Sequence, residues 1–330
     1  MTMRAAFYER TGPAQEVLSV GRLPVPIPEC GEVLVRIHAS GVNPSDVKTR
    51  AGRMRATTEF PRIVPHSDGA GVIEAVGHGV SDSRIGQRVW LRNAQWKRPG
   101  GTAAEFTALP ADQAVPLPDH VSFGEGACLG VPGLTAWVAA MEGGPALGRD
   151  LLVHGGAGAV GSLAIAIAME AGARVIATAS SDEKAAIATA AGADVVIRYR
   201  DTDTAAAVLE LTGGKGVDHI VDVDFGANWQ VNAAAIAING SIAAYSAPSK
   251  PVFQMDYYAF AAKAARLRFI QVYLLPPDER AQAVAGIDRL LRANRLPIRI
   301  GRQLRLDQIA AAHELQESGT MIGNIVIETG

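Results

Sequence analysis

Residues 150–161 read Asp-Leu-Leu-Val-His-Gly-Gly-Ala-Gly-Ala-Val-Gly, so an apolar run feeds straight into the spacing Gly156-x-Gly158-x-x-Gly161 and then into a helix of small residues. A strand must end, turn sharply and start a helix within these few positions. One glycine permits the turn, one lets the backbone approach a pyrophosphate, and one lets the helix pack close to the strand. The N–H groups at the helix start are left for phosphate oxygens. The chain holds 35 glycines, so a merely structural glycine-rich turn is the alternative. Order along the chain favours a dinucleotide site. Leu151 to Val153 is apolar on both faces, as a buried parallel strand is, and Ala159 to Ala171 carries no charge before Glu170. Gly172 then stops the helix, and Arg174 to Ala179 reads as the second parallel strand.

The tip of that second strand selects the nucleotide. Sites for NAD place an Asp or Glu there, about 20 residues past the glycines, to hold the ribose 2′-hydroxyl. This chain has Ser180 and Ser181, with Lys184 one helical turn beyond. Hydroxyls and a cation accept a 2′-phosphate that a carboxylate would repel, so the cofactor expected is NADPH. Ser181 also stands where it would cap a helix from Asp182 to Ala191, and both roles can hold at once. Asp182 is unfavourable to a phosphate. Tyr199 and Arg200, after the apolar run Asp194 to Ile197, are placed to flank the phosphate or the adenine.

A chain of 330 residues with 48% hydrophobic and 19% charged residues has material for two globular cores. Its net charge of −2 and lack of a lysine or arginine block argue against nucleic acid or an anionic membrane as partner. The densest basic stretch, Arg292 to Arg305, is broken by Leu, Pro and Ile and reads as strand edges. Two cysteines, Cys30 and Cys128, make no disulfide framework and fit the cytoplasm. No run reaches the roughly 18 apolar residues that span a bilayer, and the N-terminus lacks a signal core.

The two halves have different grammar. Up to about Phe123 the apolar segments are short and punctuated by Gly and Pro: Met3 to Tyr8, Val33 to His38, Gly69 to Val76, Gln87 to Leu91 and Ala103 to Ala108. That pattern predicts antiparallel β structure. From Gly124 the rhythm becomes strand, alanine-rich helix, strand, with strands near Leu151, Arg174, Asp194, Asp218 to Val223, Ser241 to Tyr245 and Phe269 to Leu274. Such alternation predicts a doubly wound parallel sheet, hence an α/β fold. A helix at about Pro277 to Asn294 leads back to β-like segments at Ile298 to Leu304 and Asn324 to Glu328, expected to rejoin the first domain. The domains expected are 1–124 with 295–330, and 125–294.

Further stretches carry a resemblance: Gly41-Val-Asn-Pro-Ser-Asp46, Ser67-Asp-Gly-Ala-Gly-Val-Ile-Glu-Ala-Val-Gly77, Gly100-Gly-Thr-Ala-Ala-Glu-Phe106, Gly130-Val-Pro-Gly-Leu-Thr-Ala136 and Val153-His-Gly-Gly-Ala-Gly-Ala-Val-Gly161. Over nearly its whole length the chain resembles the medium-chain dehydrogenase/reductase superfamily, and within it the zinc-free, zeta-crystallin-like quinone oxidoreductases. The resemblance implies a GroES-like β-rich catalytic domain built from both chain ends, a Rossmann domain between, and NADPH in the cleft. It places Asn43, Thr135, Ala157, Gly158, Ala159, Val160, Ser180, Lys184, Tyr199, Asn228, Tyr245, Ser246 and Asn324 around the cofactor, beside Gly156, Gly161 and Ser181. Asn43 and Asn228 also sit where loops would use them for turn chemistry. The resemblance further implies a homodimer in which Rossmann-sheet edges pair, with the Ser241 to Tyr245 strand or the Tyr257 to Phe260 segment as the edge.

The alcohol dehydrogenase branch binds catalytic zinc through a Cys, a His and a later Cys; here Asn43, Ser67 and about Pro132 stand at those places. A zinc site needs three protein ligands and an open position, so none is expected. His66, Asp68 and Cys128 are the competing donor set; His66 reads as a hydrogen-bonded loop residue and Cys128 as a small buried hydrophobe. Without a Lewis acid, electron-poor acceptors suit the site best, so hydride transfer to a quinone is the activity expected. Reduction of the double bond of enones or 2-alkenals is one alternative, and NADPH binding without catalysis is another. Lys48 is the candidate proton donor against the plainer reading of a solvated side chain. Residues Val47 to Met54 carry no aromatic ring for a quinone, and Trp90, Trp96, Tyr257, Tyr258 and Phe260 are the replacements in reach.

Overall fold

A computed structural model describes residues 1–54 and 56–330 of the chain. Contacts divide it into two compact units, Met1–Pro132 with Ile298–Gly330, and Gly133–Pro297.

The first unit is built on antiparallel pairing. Strands β1 (Thr2–Phe7) and β2 (Ser19–Pro24) form a two-stranded ribbon. The main sheet contains β3 (Glu32–Val42), β4 (Asp68–Val76), β5 (Arg88–Leu91), β6 (Phe106–Pro110) and β7 (Ala114–Pro116), joined by two strands from the far end of the chain. The alternation that marks β3 in the sequence is realised: Val33, Val35 and Ile37 are buried with Ile73, Val89, Leu91 and Leu109 on one apolar face. The expected strand at Ala103 to Ala108 starts later, at Phe106. Ala103 and Ala104 lie against the ribbon instead, where Ala6 donates to the Ala103 carbonyl at 2.8 Å.

The second unit is a six-stranded, all-parallel sheet of β8 (Asp150–Val153), β9 (Arg174–Ala179), β10 (Val195–Arg198), β11 (Val217–Asp222), β12 (Ile236–Ala244) and β13 (Arg266–Phe269). Its spatial order, β10-β9-β8-β11-β12-β13, reverses direction at β8, as in the doubly wound dinucleotide fold. The helix Ala159–Glu170 is buried continuously from Gly161 to Ala168, which explains its lack of a polar stripe. The helix Pro277–Arg292 does have one. It opens with Pro277, Asp278 and Glu279 and closes with Arg289 and Arg292, charges that oppose its dipole.

Two expectations are corrected here. The strand expected at Phe269 to Leu274 is β13, Arg266–Phe269. Its neighbour β12 ends at Ala244, so after Ile270 donates to the Ala244 carbonyl there is nothing left to pair with, and Val272–Leu274 forms a 3₁₀ turn. Nor is Ser241 to Tyr245 an edge: β12 lies between β11 and β13, and the outer strands of the sheet are β10 and β13.

The chain then returns to the first unit as β14 (Ile300–Arg305) and β15 (Asn324–Glu328), with β15 antiparallel to β3 through Ile325↔Val42 to Glu328↔Ala39. The segment after Ser122 also belongs to this unit: Phe123 stacks on His38 at 4.4 Å, and Asp68 Oδ2 accepts the Val131 N–H at 2.7 Å.

Candidate active site

In an open parallel sheet, ligands bind at the carboxyl ends of the strands, where the order reverses. The structure brings most of the sequence-predicted residues of the second unit to that end. The glycine turn follows β8, Ser180 follows β9, Tyr199 follows β10, Asn228 lies shortly after β11, and Tyr245 and Ser246 follow β12. Thr135 is buried in the helix Val131–Met141.

The turn is fixed from both sides. Gly155 and Gly156 donate to Thr178 Oγ1 and Thr178 O at 3.1 and 3.0 Å, and His154 N–H bonds the Val221 carbonyl at 2.9 Å. A Cβ on Gly161 would stand 2.2 Å from the Gly155 carbonyl oxygen, so turn and helix touch through the glycine. Gly156 has equally little room, with the Ala188 and Ala177 methyls and Ile165 Cδ1 all within 3.0 Å of that position. Gly158 caps the helix Ala159–Glu170 with no side chain, and the space above it is open except for Gly155 O at 3.3 Å. Ala159, Val160 and Gly161 therefore present first-turn amides without intrahelical acceptors, beside the buried Ala157. This cradle fits a pyrophosphate.

Beneath the turn runs a polar chain invisible in the sequence. Asp222, fully buried, accepts from the Asp224 N–H at 2.8 Å, Asn228 Nδ2 at 2.9 Å and Asn232 Nδ2 at 2.5 Å. Asn232 Oδ1 in turn accepts His154 Nε2–H at 2.9 Å. Three donors on one carboxylate compensate its burial without a cation. The Asn228 amide nitrogen is thus committed to Asp222. Burial and the Asp222 charge push the Tyr245 hydroxyl far up, so it stays a neutral donor.

At the β9 tip, Ser181 caps its helix by accepting the Lys184 N–H at 3.3 Å. Asp182, the unfavourable acid, is neutralised: Arg198, the last residue of β10, bonds both Asp182 and Asp201. Arg198 stands opposite Ala179 in the sheet. Sequence reading passed over it because it closes an apolar run and looks like a strand end. Tyr199 is about half exposed and its N–H bonds Ala179 O at 3.2 Å.

In the first unit, Asn43 follows β3 and Asn324 begins β15, each one residue beyond the Ile325↔Val42 pair. Asn43 is buried; its N–H donates to Asp46 Oδ2 and its Nδ2 to Asp68 Oδ2, both at 2.8 Å. Asn324 Nδ2 bonds the Arg299 carbonyl at 2.9 Å. Lys48 lies one turn past Asn43, half-buried, on the helix Pro44–Arg50. Burial lifts the Asp46 carboxyl to about 7, and Asp68 rises well above the usual carboxylate range for the same reason.

These side chains do not fit a zinc ion. Asn43 and Ser67 offer an amide engaged with Asp68 and a hydroxyl, and Pro132 offers no ligand atom. His66, Asp68 and Cys128 do not converge. His66 turns to Ser40 and His313, and the Cys128 thiol, pushed up by burial, bonds Gly124 O at 3.2 Å. Among the described residues no three His, Cys, Asp or Glu side chains gather to hold a metal.

Comparison with known proteins agrees with this architecture. Residues 29–119 match the alcohol dehydrogenase GroES-like domain, and residues 159–288 the family described as zinc-binding dehydrogenase. A quinone oxidoreductase of Pongo abelii is 32% identical over 316 residues, 94% of this chain and 93% of that one. A mycobacterial protein solved in complex with NADPH superimposes with a TM-score of 0.86 at 30% identity, over 99% of both chains. An NAD-dependent alcohol dehydrogenase structure gives 0.90 at 30% identity, over 99% of this chain and 100% of that one. The chain belongs to the medium-chain dehydrogenase/reductase superfamily, among its quinone oxidoreductases.

Proposed function

We propose that this chain is an NADPH-dependent quinone oxidoreductase that works without a metal. The observation that carries the reading is the cradle at Gly156, Gly158 and Gly161 with a serine, Ser180, in place of an acid at the β9 tip. Gly156 to Gly161 hold the pyrophosphate on the amides of the helix start, and Ser180, Ser181 and Lys184 receive the 2′-phosphate. Tyr199, Asn228, Tyr245 and Ser246 border the nucleotide at the strand ends, and Asn43, Thr135 and Asn324 supply amide and hydroxyl groups to its ribose and carboxamide. NADPH, when bound, supplies the hydride that reduces the quinone to a hydroquinone, with one proton added at oxygen. Lys48, one turn beyond Asn43, is our candidate for that proton.

Stopped-flow oxidation of NADPH with 1,4-benzoquinone and 9,10-phenanthrenequinone tests the activity, and absence of turnover with both overturns it. The lack of an aromatic ring from Val47 to Met54 favours running α,β-unsaturated ketones and 2-alkenals in the same assay. Tight NADPH binding with no acceptor turned over would mark a binding protein instead.

We also propose a homodimer joined through β13, whose outer edge is open and whose Leu267 and Phe269 are exposed, as are Tyr257 and Tyr258. Among the described residues no helix is long and apolar enough to cross a membrane. Free Cys30 and Cys128 support a cytoplasmic location.

A further inference from the structure

Asp68 has an unusual setting for an acid. It is fully buried at the start of β4, and its two oxygens have opposite surroundings. Oδ2 accepts Asn43 Nδ2 at 2.8 Å and the Val131 N–H at 2.7 Å. Oδ1 is buried with no hydrogen-bond partner. The space it faces is bounded by Gly130: a Cβ there would lie 2.1 Å from Oδ1 and 2.8 Å from the Leu91 carbonyl oxygen. Two acceptor oxygens thus border the space beside the Gly130 Cα, and Oδ1 finds no donor there.

We propose that Asp68 is carried as an uncharged carboxylic acid, with its proton on Oδ1, so that Oδ2 serves as a positioning group for the Asn43 carboxamide and the first turn of the helix Val131–Met141. This deepens the reading above and rests on it in one respect, that Asn43 faces the bound cofactor. A carboxylate with one oxygen orphaned in the interior bears the full desolvation penalty, whereas the acid can turn its O–H toward the Leu91 carbonyl. The titratable groups around it reinforce the neutral form. Asp46 on the helix Pro44–Arg50 raises it by like charge, and Cys128 on the far side is itself a buried neutral thiol. The acid holds three chain segments together: the end of β3 through Asn43, the start of β4, and the turn at Gly130 and Val131. Asn43 is left a single orientation, its Nδ2 inward, so its amide oxygen is fixed before any ligand arrives.

The neutral form makes an isosteric test available. Asp68→Asn keeps an acceptor at Oδ2 and puts an N–H where the acid carries its proton; Asp68→Ala removes both. Wild-type minus Asp68→Asn infrared difference spectra near neutral pH are expected to show a protonated-carboxyl C=O band, the contribution of Asp46, raised to about 7 and present in both proteins, cancelling between them; the readout needs no cofactor. NADPH dissociation constants from fluorescence titration are expected within about twofold of wild type for Asp68→Asn, and about tenfold weaker for Asp68→Ala, the worth of one buried hydrogen bond. Asn43→Ala should match the Asp68→Ala loss, and the double variant should lose no more than either. Circular dichroism identifies any variant that fails to fold, and Asp68→Asn then carries the comparison. The proposal is overturned if the difference band is absent, if a folded Asp68→Asn binds as poorly as Asp68→Ala, or if Asp68→Ala binds like wild type. A difference band from a wild type that binds no NADPH supports the acid and overturns the cofactor reading.

Discussion

His66 and His313 face each other Nε2 to Nε2 across 2.9 Å, both buried, although 247 residues separate them in the chain. One ring donates and the other accepts, so the pair holds one proton between the two facing nitrogens. Ser40 meets the other side of His66 at 2.8 Å, and Thr102 continues the chain from Ser40 to the Asp68 carbonyl. His66 also sits at φ +77°, the left-handed region that a β-carbon disfavours.

Acid should therefore attack the first unit through this pair. Burial lowers His66 to about 3, and burial with the nearby His66 and Arg50 lowers His313. The unfolded chain takes up these protons near 6.5 and the folded chain refuses them, so the stability is fully present above 6.5 and is lost as pH falls toward 3. His313→Gln retains an amide donor for His66 Nε2 and cannot titrate. Urea unfolding at a series of pH values is expected to show a shallower loss of stability below 6.5 for this variant than for wild type.

Asp46 has the opposite sign. Its carboxyl, at 3.8 when free, rises to about 7 in the fold, so its contribution is complete below 4 and is lost as pH climbs through 7. Asp46→Asn cannot ionise, and its stability relative to wild type should improve from pH 4 to 8. Equal pH slopes for the two proteins would show that the carboxyl is ionised throughout.

Gly286 lies directly beneath the Trp137 ring, and a Cβ there would fall 1.9 Å from Cη2. Gly286→Ala replaces a poor helix former by a good one, yet the ring must move. Overpacking of this kind costs about 1–3 kcal/mol, more than the roughly 1 kcal/mol of propensity it gains, so the midpoint of thermal unfolding should fall.

Cofactor preference should reside in Lys184 and Ser180. Lys184→Ala is expected to weaken NADPH by about tenfold or more, from the loss of a charge-assisted bond, while leaving NADH nearly unchanged. Ser180→Asp should invert the preference by repelling the 2′-phosphate. Equal losses for the two nucleotides in a fluorescence titration would remove Lys184 from the phosphate site.

Phe269→Glu on the open edge of β13 places a charge where the proposed partner strand would pair. Sedimentation velocity should then show a monomer in place of a dimer. A wild-type monomer would dismiss the dimer itself.

The sequence was most legible where a single local rule sufficed. Arg174–Ala179 and Asn324–Glu328 are strands with the expected bounds because a glycine stops the preceding element and β-branched residues fill the run. The glycine turn at Gly156 to Gly161 was legible for the same reason, since its glycines act on neighbours only a few residues away. Partnerships across the chain were not. Nothing in the spacing of Asp222, Asn232 and His154 says that they join, and Arg198 reveals its link to Asp182 only once β9 and β10 lie side by side. The late start of β6 was hidden too, because Ala103 and Ala104 are as apolar as strand residues but are claimed by the ribbon.

The return of β15 to β3 sets an order of events in synthesis. Glu328 pairs with Ala39, and the Thr329 hydroxyl bonds the Ile37 carbonyl at 2.6 Å, from 292 residues away. All of the second unit lies between those partners, so it emerges from the ribosome and can complete its parallel sheet while β3, already flanked by β4 and β6, still lacks β15. The first unit, begun earliest, is finished last, and until then Ala39 to Val42 of β3, beyond the Glu32 to Arg36 stretch that β6 covers on that side, form an unpaired edge of the kind that chaperones cover.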